Sequence, residues 1–366
     1  TVSGTASDIA TNLGNLGAAD VITFTVTGTS NWTDLQSVDL KTNQAIDVAA
    51  MTDSYANVYT NMVADADFDH ADADLTIESS EKIDKAKYDN LDAATDGTIG
   101  FTKIEDTYAN LNALGAVLAG KEVTISDAVT IANLDRIQAF VAGESGGSVT
   151  YSVEDTNAVL SGLTANSGST HTDLTGATTV TISDATSIAD IATIKALNGT
   201  TTPTYSAITD TAAVLGANNA STSALMTGKT ITLSTTATAA EFRQAITNRG
   251  GGSVSGAVQD TSSATLASGT DPLTGATSIT LKVQSSDKDF TSTTFLSNVD
   301  FDLNGQTGVL FNIADVDNRD ISDTGSGGTY FISDTHANIL TASAHNGTNA
   351  TDPSQFAKLY NAKEII

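Results

Sequence analysis

The feature that most limits how this chain can fold is a short motif that returns along its whole length. Its copies are Ser7-Asp8-Ile-Ala-Thr-Asn-Leu13, Thr52-Asp53-Ser-Tyr-Ala-Asn-Val58, Glu105-Asp106-Thr-Tyr-Ala-Asn-Leu111, Glu154-Asp155-Thr-Asn-Ala-Val-Leu160, Thr209-Asp210-Thr-Ala-Ala-Val-Leu215, Gln259-Asp260-Thr-Ser-Ser-Ala-Thr-Leu266 and Ser333-Asp334-Thr-His-Ala-Asn-Ile339. Their aspartates stand about 45 to 55 residues apart, with one gap of about 74 before Asp334. Between them runs a second motif: Leu75-Thr-Ile77, Val123-Thr-Ile-Ser-Asp127, Val180-Thr-Ile-Ser-Asp184, Ile231-Thr-Leu233 and Ile279-Thr-Leu281. One repeat is therefore about 50 residues with two different halves. A period in that range marks stacked supersecondary units, none of which can bury its apolar face alone.

Each half reads as a strand followed by a helix. From Val123 the pattern gives a strand to Ile125, a polar corner at Ser126-Asp127, and a helix near 131–141 with Ile131, Leu134 and Ile137 on one face. A glycine turn from Gly143 to Gly147, a strand from Ser148 to Val153 and a second helix after Asp155 complete the repeat. Ser187-Ile-Ala-Asp190 and Thr238-Ala-Ala-Glu241 place a hydroxyl at a helix N-cap with an acid three residues on. Gly146-Gly147, Asn198-Gly199 and Gly250 to Gly252 stand where a helix must stop.

Strands alternating with helices every 20–25 residues or so imply right-handed crossovers and parallel pairing. The expected fold is α/β, a solenoid of strand-helix units with two βα halves per repeat. Its strands at 75–77, 99–104, 123–125, 149–153, 180–182, 204–208 and 231–233 should join one parallel sheet. Leucine-rich repeats resemble this in architecture only, because Asp155-Thr156 stands where their asparagine would be. Residues 1–62 read as an irregular N-terminal capping repeat, 63–272 as the regular repeats, and 273–366 as divergent repeats with a closing segment.

Composition narrows the function. The net charge is −27, and only eight of the 43 acids are Glu. Such a surface repels nucleic acid and anionic membranes. Asp in this excess belongs at turns, helix caps and calcium sites. With no cysteine there are neither disulfides nor thiolate metal sites. No apolar run reaches the roughly 18–20 residues of a membrane helix, and Thr1-Val-Ser-Gly lacks the regions of a signal peptide.

The repeated aspartate is expected to cap the helix that follows it, at on the order of 1 kcal/mol per copy. Repetition in every unit argues for structure, since catalysis needs one special place. Asp65, Asp67, Asp69, Asp72 and Asp74 resemble the start of an EF-hand or dockerin loop, although His70 occupies the glycine position and Thr76 that of the bidentate acid. They are the candidate metal ligands, with calcium as the cofactor, and a solvated acidic turn is the alternative.

Gly143-Glu-Ser-Gly-Gly147 has the lipase-elbow spelling but follows a helix where the elbow follows a strand, so Ser145 reads as a turn residue. Asp323-Thr-Gly-Ser326 spells an aspartic-protease tetrad once, without the second copy a dyad needs. The four histidines lack metal spacing and read as polar surface residues. Tyr151 and Tyr205 align with Phe101 in a row that reads as core.

The Val-Thr-Ile-Ser-Asp and Asp-Thr-x-Ala-Asn/Val-Leu units make the chain similar to repeat-rich secreted bacterial surface proteins of the surface-layer and giant-adhesin kind. That resemblance implies a structural, non-enzymatic protein, secreted or at the cell surface, which self-assembles, coats or spaces. Its partners would be copies of itself or other envelope components, with no nucleic acid and no membrane span. The alternative is a module presenting a repeated surface to glycan or protein ligands.

Overall fold

The computed structural model describes residues 1–17, 20–251, 253–268, 273–296, 298–312 and 319–333, with the backbone of 364–365. The last motif copy from Asp334, His336, His345 and the expected closing segment at 352–366 lie outside the described residues, apart from that short backbone stretch. The architecture is mixed α/β, with several parallel sheets and helices and no closed barrel among the described residues. Two compact parts are distinguished: residues 1–181 with 196–204, and residues 182–195 with 205–366.

In the first part, Val2–Gly4, Phe24–Ser30, Ile46–Asp53, Asp74–Ile77 and Ile99–Gly100 form one sheet in that order. Lys82–Ile83, Lys103–Asp106, Glu122–Val129 and Ser148–Asp155 form another. Thr178 continues it by donating its N–H to the Tyr151 carbonyl at 2.8 Å. All of these strand pairings are parallel. Val2 faces Phe24, Phe24 faces Ile46, Met51 faces Leu75, Leu75 faces Ile99, Ile104 faces Val123 and Val123 faces Val149. Each strand thus meets the chain roughly 19 to 26 residues further on.

The second part repeats the pattern by itself. Ala207–Asp210, Thr230–Leu233, Ser253–Asp260, Ala276–Lys282, Val299–Asp302 and Ile321–Ser322 pair in parallel in that order. Val309–Phe311, Tyr330–Ile332 and Glu364–Ile365 make a smaller parallel sheet.

The expected strands therefore exist and run parallel, but they do not share one sheet. One division falls at Phe101-Thr102, where the chain bends between Ile99–Gly100 and Lys103–Asp106. Long strands also break register internally, between Thr150 and Ser152 and between Val26 and Thr29, so each is two short pairing segments joined by a kink. The strand expected at 204–208 is Ala207–Asp210, and Thr204 contributes a single bridge to Thr181.

Alternation puts Phe24, Val26, Leu75, Ile77, Val123 and Ile125 inside, and polar neighbours outside. The helix Ile131–Val141 buries Ile131, Leu134, Ile137 and Val141, a spacing that lays one stripe on the sheet. Phe101 and Tyr151 are 4 % and 6 % exposed, so the aromatic row is core in this part. In the second part Phe290, Phe295, Phe301, Phe311 and Tyr330 pack as a cluster whose nearest rings, Phe301 and Phe311, have centroids 4.6 Å apart.

Candidate functional site

Helix starts in this fold share one unsolved need. The first N–H groups of a helix have no partner within it, and a hydroxyl or carboxylate at the N-cap reaches only the amide two or three residues on. The N-caps do this as expected: Thr130 accepts from Asn133 N–H, Thr156 from Val159, Thr211 from Val214, and Asp84 from Lys87 at 2.8 Å. Thr238 and Glu241 complete a reciprocal capping box, and Gly250 at φ 60° closes that helix in the left-handed conformation. The Asp190 amide donates to Ser187 Oγ at 3.0 Å. The amide of the first helical residue is still left over.

That amide is met from a neighbouring unit, by the repeated aspartates. In the first part Trp32 N–H donates to Asp53 Oδ2 at 2.9 Å, Lys85 N–H to Asp106 Oδ2 at 2.9 Å, and Ile131 N–H to Asp155 Oδ2 at 3.0 Å. In the second part Ile188 donates to Asp210 Oδ2 at 3.1 Å and Ala239 to Asp260 Oδ2 at 3.0 Å. The other oxygen of each aspartate accepts the next residue's own N–H: Ser54 at 2.7 Å, Thr107 and Thr156 at 2.8 Å, Thr211 and Thr261 at 2.7 Å. One carboxylate thus ties the end of its strand to the start of a helix 21 to 24 residues upstream.

The expectation that each aspartate caps its following helix is corrected here. The N-caps are Thr107, Thr156 and Thr211, one residue later. Asp53, Asp106, Asp155, Asp210 and Asp260 each end a strand instead, and that position sets the side chain beside the preceding unit's helix start. Asp8, in the first motif copy, lies inside the helix Ala6–Asn12, whose N-cap is Thr5.

The helices that follow these aspartates receive a cap from residues in the second motif or up to about six residues after it. Tyr55 N–H donates to Glu81 Oε2 at 2.8 Å, Tyr108 N–H to Asp127 Oδ1 at 2.7 Å, Ala212 N–H to Thr235 Oγ1 at 3.0 Å and Ser263 N–H to Asp287 Oδ2 at 3.2 Å. Two alternating cap geometries account for two alternating motifs, and hence for a 50-residue period built from half-units. Asn57 and Asn110 add their amides to Asp53 and Asp106 at 2.8 Å, which explains the asparagine in those copies.

Burial alone would raise the Asp53 and Asp106 carboxyls, but the combined hydrogen bonds outweigh it and hold both below their ordinary value. Asp302 behaves likewise: burial opposes, and bonds from Thr324 and the Asn304 amide prevail.

The five candidate metal ligands are spread along a turn, the strand Phe68–Asp69 and the start of Asp74–Ile77. Asp65 accepts the Asp67 amide, Asp69 the Ala71 amide, and Asp74 both the amide and hydroxyl of Thr98 at 2.8 and 2.6 Å. Asp72 is exposed. Burial raises the Asp39 carboxyl, and the charges of Asp67 and Asp65 raise it further. Among the described residues no three His, Cys, Asp or Glu side chains converge to hold a metal ion.

Ser145 lies exposed in its turn. The Asp323 carboxylate accepts the amides of Gly305, Gly325 and Gly328, so the tetrad braces a turn. The surface reading of the histidines fails for His171, which is only 9 % exposed. It enters through an inserted loop between Gly162 and Thr172, and no spacing motif announces it. No helix among the described residues is long and apolar enough to cross a membrane. No protein-family model, curated protein or solved structure matches this chain.

Proposed function

We propose that the chain is a solenoid of βα coils of about 23 residues, two per sequence repeat, serving as a structural protein of the cell exterior. It would self-assemble, coat or space in the manner of a surface layer, filament or adhesin stalk, without catalysis. The observation that carries this reading is the carboxylate shared between consecutive units. It recurs in both parts with the same atoms and the same direction, and it invests the chain's most repeated residue in holding one unit to the next. Nearest-neighbour ties of this kind are what a quasi-one-dimensional stack requires.

The surface location follows from the resemblance to secreted repeat proteins and from an acidic composition without cysteine. Calcium belongs to the same proposal. Its carboxylates would come from Asp65, Asp67, Asp69, Asp72 and Asp74, and the charges of Asp67 and Asp65 already bear on the neighbouring Asp39 carboxyl. A melting temperature that is equal in calcium and in chelator removes calcium from the proposal.

Electron microscopy of the purified chain, at low and at millimolar calcium, tests the assembly role. Filaments, sheets or rods of uniform width support it. Discrete particles that never associate at any concentration count against it, and would favour the module that presents its surface to a glycan or protein.

A further inference from the structure

A cleft of about 390 Å³ opens in the first part, lined by Gln138, Val141, Gly147, Val149, Tyr151 and Asp173 among others. Its size falls within the range of roughly 300–1,000 Å³ usual for small-molecule sites. Tyr151 is 6 % exposed as a residue, but its hydroxyl is not among the fully buried atoms that lack a partner, and the residue lines the cleft, where no hydrogen bond from that hydroxyl is formed among the described residues. The fold does not require that hydroxyl. Phe101, five residues before Asp106, is buried without one, and at Tyr205, likewise five before Asp210, the hydroxyl donates to the Leu225 carbonyl at 3.0 Å, whereas Tyr151 stands four before Asp155. At Tyr151 no hydrogen bond to a carbonyl is formed among the described residues. Gly176 keeps the space over the oxygen open, because a Cβ there would stand 2.7 Å from it.

The acceptor across from this donor is Asp173, whose side chain is 13 % exposed. Gln138 Nε2 donates to Asp173 Oδ1 at 3.1 Å and fixes the carboxylate from one side. On the other side His171 Nδ1 stands 3.5 Å from Asp173 Oδ2, within ion-pair range but without a hydrogen bond. Asn166 holds this arrangement in place: its Oδ1 accepts the Thr172 amide at 2.8 Å, and its Nδ2 lies 3.4 Å from His171 Nε2. Burial, with the charge of Asp173 second, pushes the Tyr151 phenol up to about 12, so it is a hydrogen-bond donor at neutral pH.

We propose that this cleft is a binding site for a neutral polyol of monosaccharide size, whose hydroxyls donate to Asp173 and accept from Tyr151. Among the described residues no Lys or Arg lines the cleft, so phosphate, sulfate and carboxylate ligands meet the repulsion of Asp173. An ammonium would satisfy the carboxylate but leave the phenol proton without an acceptor, since it offers donors alone. Sugar hydroxyls do both, and Val141 and Val149 give a ring's C–H face an apolar wall. The proposal stands whether or not the solenoid reading does.

The test is saturation-transfer NMR on the full chain with the methyl glycosides of glucose, galactose and mannose, and with methylammonium as the competing probe. Saturation of at least one glycoside is expected. Tyr151→Phe should weaken it about three- to tenfold, the loss of one hydrogen bond, and Asp173→Asn at least as much. Tyr151→Phe alone decides if Asp173→Asn fails to fold, because it removes one oxygen at the cleft and leaves the ring that packs in the core. Silence from every glycoside, affinity unchanged in Tyr151→Phe, or binding of methylammonium alone would each overturn the proposal.

Discussion

Replacing Asp155 by Ala removes one side chain and deprives two backbone amides of their acceptor. Ile131 N–H loses Oδ2 at 3.0 Å and Thr156 N–H loses Oδ1 at 2.8 Å. Ile131 is 8 % exposed and Asp155 is 9 % exposed, so water cannot readily replace the first bond. Hydrogen bonds to a charged partner are worth about 1.5–3 kcal/mol, and a buried donor left unsatisfied costs about 1–3 kcal/mol. Allowing the Thr156 amide to rehydrate, the loss should be about 2–4 kcal/mol. An ordinary cap such as Thr156→Ala should cost only about 1 kcal/mol. Urea unfolding followed by circular dichroism measures both, with the slope against denaturant checked for constancy. The reasoning is refuted if Asp155→Ala costs no more than Thr156→Ala.

Acid should weaken the Asp106 tie. Its folded pKa is lowered, so the stability it contributes is present above the unfolded value of roughly 3.9 and is lost as pH falls through the folded one. The cost of Asp106→Asn, measured by urea unfolding, should therefore be larger at neutral pH than near pH 3, and a pH-independent cost would count against this. Phe301→Ala empties the middle of the aromatic cluster and should cost about 3–5 kcal/mol; a thermal melt unchanged from wild type would mean that the cluster does not pack as described. Gly275→Ala places a Cβ 2.1 Å from the Val254 carbonyl oxygen at a φ of 95°, so it should lower the melting temperature sharply, whereas Gly251→Ala, with open space around it, should not.

Much of this was legible in the residues. Ser187 and Thr238 announced their helices, because N-cap chemistry is local and spans three or four residues. The parallel strands were legible for the same reason, as short β-branched runs between helical patterns. The role of Asp155 was not, since its main partner lies 24 residues upstream and only the register of the sheet brings them together. Division of the strands between sheets depends on the bend at Phe101-Thr102, and the break in register from Thr150 to Ser152 kinks one strand within its sheet; neither leaves a mark in the local pattern of residues. His171 escaped because burial comes from its loop folding back through Asn166, and one histidine in a polar stretch carries no period. The one available hint was the extra length between Gly162 and Thr172.

The central claim, that these carboxylates act between units, is tested most directly by the coupling between Asp155 and the Ile131 amide. Ile131→Pro deletes the donor at the first helical position, where proline is tolerated and Thr130 already has the extended backbone it needs. A double-mutant cycle with Asp155→Ala should give a coupling of about 1–2 kcal/mol, with the aspartate substitution costing much less once the amide is gone. Additive costs would contradict the account, and would leave Asp155 as a residue that serves only its own strand end.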